Sequence, residues 1–275
     1  MRKLIYSAHF LNLDTAIGAV ITSHFVNSIL GVTMENEVSV MLFLSVLAIY
    51  NFDHLVDSYH IHGKAMTTRH DFYKTNRRGL WLWQLIVVIV LLLLLPRLPH
   101  RIIINGTILT TVVGIYFMLI WLVTNRYIFF KEIMVALIYT LAIFIVPLSQ
   151  YQFGSPVLTK VLFYGTFSCA VGNLLVFSYY DLKVDKAENH ASLVRLIGRS
   201  KIRIGVMLIL VMAFIFYLVY FDLFYHPLAP IILIIMIALL IVLLLFPKTF
   251  MKNDLYRLVG EYVFLIPIFY LIFNG

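Results

Sequence analysis

Nine apolar runs, each close to the length of a bilayer crossing, take up most of the 275 residues. They cover roughly 10–32, 38–57, 80–96, 102–123, 133–149, 157–180, 202–221, 228–246 and 255–273. An α-helix needs about 20 apolar residues to cross the hydrocarbon layer. Inside that layer each backbone N–H and C=O must find its partner within the protein, so runs of this length fold as helices. Only 12% of the residues are charged, against about 25% in a soluble domain. The expected fold class is therefore all-α integral membrane, with nine transmembrane helices. No Gly/Ser-rich or Pro-rich linker interrupts the runs, so residues 1–275 read as one polytopic domain. Pro147, Pro230 and Pro267 fall within or near the ends of runs, where membrane helices tolerate them.

Lysine and arginine orient the bundle. With the N-terminus inside, the inner segments hold eighteen of the 21 basic residues; only Arg97, Arg101 and Lys160 fall outside. A miscounted span would scramble this alternation, so the positive-inside bias supports nine crossings with the N-terminus and the long loops cytoplasmic. Arg2 and Lys3 resemble the start of a signal peptide, but His9, Asn12 and Asp14 break the apolar region that should follow, and the first run reads as a retained helix. The net charge of +8 lies in short loops between spans, which points to anionic lipid headgroups and an anionic substrate and away from nucleic acid. Cys169, the one cysteine, lies within an apolar run and reads as a small buried hydrophobe.

The chain has eight aspartates, and half of them form two matched pairs. Asp53 and Asp57 end the second run; Asp181 and Asp185 end the sixth. Spacing of four puts both members of a pair on one helix face, and the topology puts both pairs at the inner ends of their helices. Four facing carboxylates repel one another unless cations intervene. Two Mg²⁺ ions bridging them to a diphosphate would balance the charge and activate the leaving group as Lewis acids. Lys64, Arg69, Arg126, Lys131 and Lys183 share that side and are candidate diphosphate contacts.

From these pairs the chain resembles the UbiA superfamily of intramembrane prenyltransferases. The sixth run ends in a close match to that family's second motif: Asp181, Asp185, then Asn189, Ser192, Leu193 and Gly198, with Asn189 where glycine is usual. The first motif is less regular. Asn51 precedes Asp53 by two residues where the family places it four before, and Thr68-Arg69-His70 stands where the family has Arg-Pro. The loop carrying Arg126 and Lys131-Glu132 is similar to the family's fourth inner feature, a basic loop after helix 4. The resemblance implies a UbiA-like bundle around a central cavity. It also implies Mg²⁺-dependent transfer of an isoprenoid chain from an isoprenyl diphosphate to an aromatic or other lipophilic acceptor. Asp53, Asp57, Asp181 and Asp185 would be the metal-binding and catalytic residues, with Asn51 and the basic residues holding the diphosphate. Tyr180 is the candidate to face the allylic cation, since cations favour aromatic faces. The alternative is a non-catalytic isoprenoid- or diphosphate-binding or transport protein on the same scaffold.

Other polar residues carry weaker expectations. Asn12, Asp14, His24 and Asn27 lie on the first run and form a candidate cavity strip. Asn173 reads as an interhelical hydrogen-bonding residue, and Arg257 with Glu261, four apart, as a local ion pair. His54, His60, His62 and His70 crowd the first inner loop without any standard zinc spacing, and read as solvated or phosphate-facing.

Overall fold

The computed structural model describes residues 10–60, 67–122, 130–150, 155–187 and 192–274. Every regular element among them is helical. In chain order they are α1 (Leu13–Ile29), α2 (Asn36–His60), α3 (Thr68–Thr75), α4 (Arg77–Leu94), α5 (His100–Leu122), α6 (Lys131–Ile143) and α7 (Ile145–Ser149). There follow α8 (Pro156–Ala187), α9 (Leu193–Ile197), α10 (Arg199–Val219), α11 (Leu228–Leu245), α12 (Pro247–Phe250), α13 (Leu255–Tyr262) and α14 (Ile268–Asn274). Seven helical stretches among the described residues are long and apolar enough to cross a membrane. They correspond to the expected runs except the first and fifth. The first run forms α1, 17 residues long. The fifth is broken at Phe144 into α6 and α7.

That break has a local cause. Pro147 has no N–H to offer the carbonyl of Ile143, one turn back. Ser23 of α1 donates its hydroxyl to that carbonyl instead, at 2.8 Å. The last run is also interrupted, by the 3₁₀ turn Val263–Leu265 before Pro267, where the Ile266 N–H donates to the Val263 carbonyl at 3.3 Å. There Thr22, the neighbour of Ser23, donates to the Phe264 carbonyl at 3.1 Å. One helix thus satisfies the backbone at both breaks, as a lipid-embedded bundle requires.

The hub of the bundle is α8. Of its most apolar stretch 61% is buried, against 17% for α4 and for α5, which present most of their surface outward. It packs against α6, α10, α11 and α13. Gly165 and Gly172, seven apart, let α10 approach closely: a side chain at Gly165 would occupy the place of the Tyr217 hydroxyl, and one at Gly172 would meet Leu210 at 2.6 Å. Between them Cys169 is buried and free, as expected.

Length decides where α8 ends. Its 32 residues rise about 48 Å, well beyond a hydrocarbon layer of about 30 Å. The apolar run stops at Tyr180 but the helix continues to Ala187, so Asp181 and Asp185 ride on the overhang. In α2 the second pair, Asp53 and Asp57, likewise falls in the last two turns. Both pairs are helical, and both share a helix face. Beyond α8, Gly198 turns the chain from α9 into α10 at φ +94°, a conformation that costs little only for glycine.

A candidate diphosphate and metal cavity

Both aspartate pairs open into one cavity of about 210 Å³. Asp53 and Asp57 reach it from α2, Asp181 and Asp185 from α8, Arg69 and His70 from α3, and Lys131 and Glu132 from the first turn of α6. Asn12, Asn173, Arg257 and Glu261 also line it, together with an aromatic and apolar set that includes Tyr50, Tyr116, Tyr139, Leu174, Phe177 and Phe264. Charged and aromatic side chains therefore share one chamber.

The α2 side offers the better cation site. One ligand atom from each of Asp53, His54 and Asp57 lies within 4.8 Å of the other two. His54 Nε2 is buried and has no hydrogen-bond partner among the described residues, a state that calls for a partner. Two carboxylates and an imidazole suit a divalent cation. The oxygens fit Mg²⁺ with phosphate completing its shell, and the added nitrogen favours Mn²⁺ among its mimics. His54 thus joins the aspartates, where its spacing alone pointed only to a solvated or phosphate-facing role.

The α8 side is built differently. Asn173, Phe177 and Asp181 lie four apart along one stripe of α8. Against that stripe presses α13, whose Gly260 leaves no room for a side chain: a Cβ there would meet Asn173 Oδ1 and Phe177 Cε1 at 2.5 Å. One turn earlier on α13 stand Tyr256 and Arg257, held beside Asp181. Tyr256 donates its hydroxyl to Asp181 Oδ1. Arg257 Nη2 donates to Oδ2 at 2.5 Å, and its Nε reaches the Tyr256 oxygen at 3.1 Å. Both carboxylate oxygens are thereby engaged. Arg257 thus links α13 to α8, and Glu261, one turn further along α13, lines the same cavity.

The other expected site residues divide into two groups. Arg69 and Lys131 line the cavity; Asn51, Lys183 and Tyr180 are not among its lining residues. Asn51 is buried in a polar knot: its Oδ1 accepts from the Tyr73 hydroxyl and, at 3.4 Å, from Asn12 Nδ2. Lys183 is exposed. Tyr180 stacks on Tyr256 with ring centroids 4.4 Å apart and donates its hydroxyl to the Leu243 carbonyl at 2.5 Å. Lys64, Arg126, His62 and Asn189 lie outside the described residues. Of the polar strip on the first run, Asn12 lines the cavity and Asp14, His24 and Asn27 do not. Burial, with repulsion from Arg257, holds the Arg69 guanidinium below its ordinary pKa. Glu132 fastens the segment after α8: its Oε1 accepts from Ser178 Oγ at 2.8 Å and from the Leu193 N–H at 3.2 Å.

Arg257, Tyr256 and Glu261 are the lining or bridging residues that motif reasoning passed over. The available signal was an arginine and a glutamate inside an apolar run, where ionisable groups are costly.

No protein-family model and no curated protein matches the sequence. Solved structures do match in fold. A UbiA homolog from Aeropyrum pernix K1 superposes with a TM-score of 0.65 at 9% identity, over 98% of each chain. A UbiA homolog from Archaeoglobus fulgidus, solved with DMAPP and Mg²⁺, gives 0.65 at 10% identity over 98% of this chain and 99% of that one. A digeranylgeranylglyceryl phosphate synthase gives 0.58 at 15% identity over 99% and 97%. Across essentially its whole length, the chain has the many-pass helical fold of these UbiA homologs.

Proposed function

We propose that this protein is a membrane prenyltransferase that moves an isoprenoid chain from its diphosphate to a lipophilic acceptor. The observation that carries this reading is the convergence of Asp53, Asp57, Asp181 and Asp185 with Arg69 and Lys131 on one cavity that aromatic and apolar side chains also line. Asp53, His54 and Asp57 would hold a divalent cation, Mg²⁺ in the cell, and Asp185 would face it from α8. When bound, the cation supplies Lewis-acid activation of the diphosphate leaving group. Arg69 and Lys131 bind the diphosphate oxygens and stabilise the charge that grows on them; Lys64 and Arg126 extend that basic set. Tyr116, Tyr139 and Phe177, in place of Tyr180, offer faces to a cationic prenyl group. Asn51 acts indirectly, by holding the end of α2 against α3.

In this reading α1 and the broken α6–α7 also cross the membrane, giving nine spans, with the N-terminus and the cavity mouth cytoplasmic. The A. fulgidus homolog was solved with DMAPP and Mg²⁺, in keeping with an isoprenyl diphosphate as donor. One observation favours the second reading, a binding or transport protein without transfer: Arg257 already holds Asp181, which a metal would otherwise use. Comparison of membrane lipids by mass spectrometry, with and without the gene, separates the two. A prenylated lipid that disappears with the gene supports transfer and names the acceptor. An unchanged lipid profile, together with Mg²⁺-dependent diphosphate binding that never releases product, supports the second reading.

A further inference from the structure

We propose that Arg257 stands in the place of a second divalent cation, so that the cavity holds one metal ion, at Asp53, His54 and Asp57, and not two. This rests on reading the cavity as a diphosphate site, and it departs from the symmetric two-ion arrangement that the matched aspartate pairs suggest.

The two halves of the site are unlike. On α2, one ligand atom from each of three residues converges within 4.8 Å, and His54 also carries a buried Nε2 with no hydrogen-bond partner among the described residues. No second cluster of three such ligands occurs among the described residues. On α8, each Asp181 oxygen already carries a donor from α13. Tyr256 takes one and Arg257 the other, and Arg257 closes the ring by donating to the Tyr256 oxygen. The Asp181 and Arg257 side chains are only 13% and 14% exposed, so water competes little for either.

The arrangement is also held from behind. Tyr256 stacks on Tyr180, and the Arg257 guanidinium lies 5.6 Å from the Tyr256 ring centre and 5.9 Å from that of Phe177. Gly260 keeps α13 tight against α8. Arg257 sits in the first turn of α13, where the helix dipole disfavours a cation; Asp181 offsets that cost. A metal at Asp181 would have to expel a guanidinium that stays protonated at any physiological pH. Mg²⁺ demands near-octahedral oxygen ligands and gives up its waters reluctantly, so it competes poorly for such a carboxylate. Arg257 brings one positive charge where a second ion would bring two. Lys131 and Arg69, lining the same cavity, supply the remainder. Arg257 is thereby a candidate diphosphate contact, with the planar donor fork that matches phosphate oxygens.

The test is a count of bound Mn²⁺ by electron paramagnetic resonance on the purified full chain in detergent, without substrate. Wild type should hold one Mn²⁺ per chain. Asp57→Asn should lose it, and Asp181→Asn should keep it. Arg257→Lys, which retains the charge, should also stay at one. Arg257→Gln should uncover a second site and raise the count to two, with its size-exclusion profile checked against wild type. Two ions in wild type, or a lower count in Asp181→Asn, would overturn the proposal. Because the wild-type and Asp181→Asn counts need no arginine variant, they decide the matter even if Arg257→Gln misfolds. Two ions together with prenyl transfer would sink this inference alone; no bound ion would sink it along with metal-assisted transfer.

Discussion

Tyr73→Phe is a one-atom test of how the charged end of the cavity is assembled. Tyr73 is 1% exposed and joins three segments. Its hydroxyl donates to Asn51 Oδ1 on α2, contacts the Phe10 carbonyl at 3.0 Å, and accepts from Asn12 Nδ2 at 3.2 Å just before α1. Asn51 lies less than one turn before Asp53, and Arg69 one turn before Tyr73, so the knot sets α2 and α3 relative to each other. Removing the hydroxyl leaves Asn51 Oδ1 with only the 3.4 Å contact to Asn12, and Asn51 Nδ2 already lacks a partner among the described residues. Stranding a buried acceptor costs about 1–3 kcal/mol. At roughly 2–4 °C per kcal/mol for chains of this size, the unfolding midpoint should fall by several degrees. The chain carries its own reporter: Cys169, fully buried, becomes reactive to a thiol-specific dye only as the bundle opens. Tyr73→Phe and Asn51→Ala should each lower the midpoint. In the double variant their effects should overlap, with a coupling above about 0.5 kcal/mol. Strict additivity, or an unchanged midpoint in Tyr73→Phe, would refute the knot and return Asn51 to the ligand set.

Two further outcomes check the scaffold. Gly165→Ala should sharply reduce the yield of folded protein, because its new methyl coincides with the Tyr217 ring tip; Tyr217→Leu in the same chain should restore much of that yield by clearing the space. For orientation, Cys169 is buried, so single cysteines at the exposed positions Arg101 and Thr249 report sidedness. In intact cells a membrane-impermeant thiol reagent should label Arg101→Cys and spare Thr249→Cys, and the reverse pattern would invert the proposed topology.

The bilayer made much of this architecture readable in advance. A run of twenty apolar residues has one backbone solution in lipid, so the positions of the helices followed from hydropathy, and the four-residue spacing of each aspartate pair became a shared helix face. Breaks were harder to place. Pro147 marks one, but its consequence depends on Ser23, 124 positions away, being present to satisfy Ile143. Partnership was hardest. Arg257 looks like one more inner positive charge, and its commitment to Asp181 depends on Gly260 drawing α13 onto α8. Asn51 and Tyr180 have the right residue types for ligands. Nothing local reveals that Tyr73 and Leu243 already use them. His54 was disguised in the opposite sense, since a histidine beside two aspartates gains meaning only when the fold brings a ring nitrogen within ligand distance of both.

In the proposed function, the cavity uses its aspartates and a divalent cation to expel diphosphate from an isoprenyl donor. Diphosphate release, followed with purified protein and a series of allylic diphosphates, tests it most directly. Release should occur with Mg²⁺, stop on chelation and recover when Mg²⁺ is restored, and should fall at least a hundredfold (about 2.7 kcal/mol of barrier) in both Asp57→Asn and Asp185→Asn. Release that proceeds unchanged in both variants, or in the presence of chelator, would contradict it.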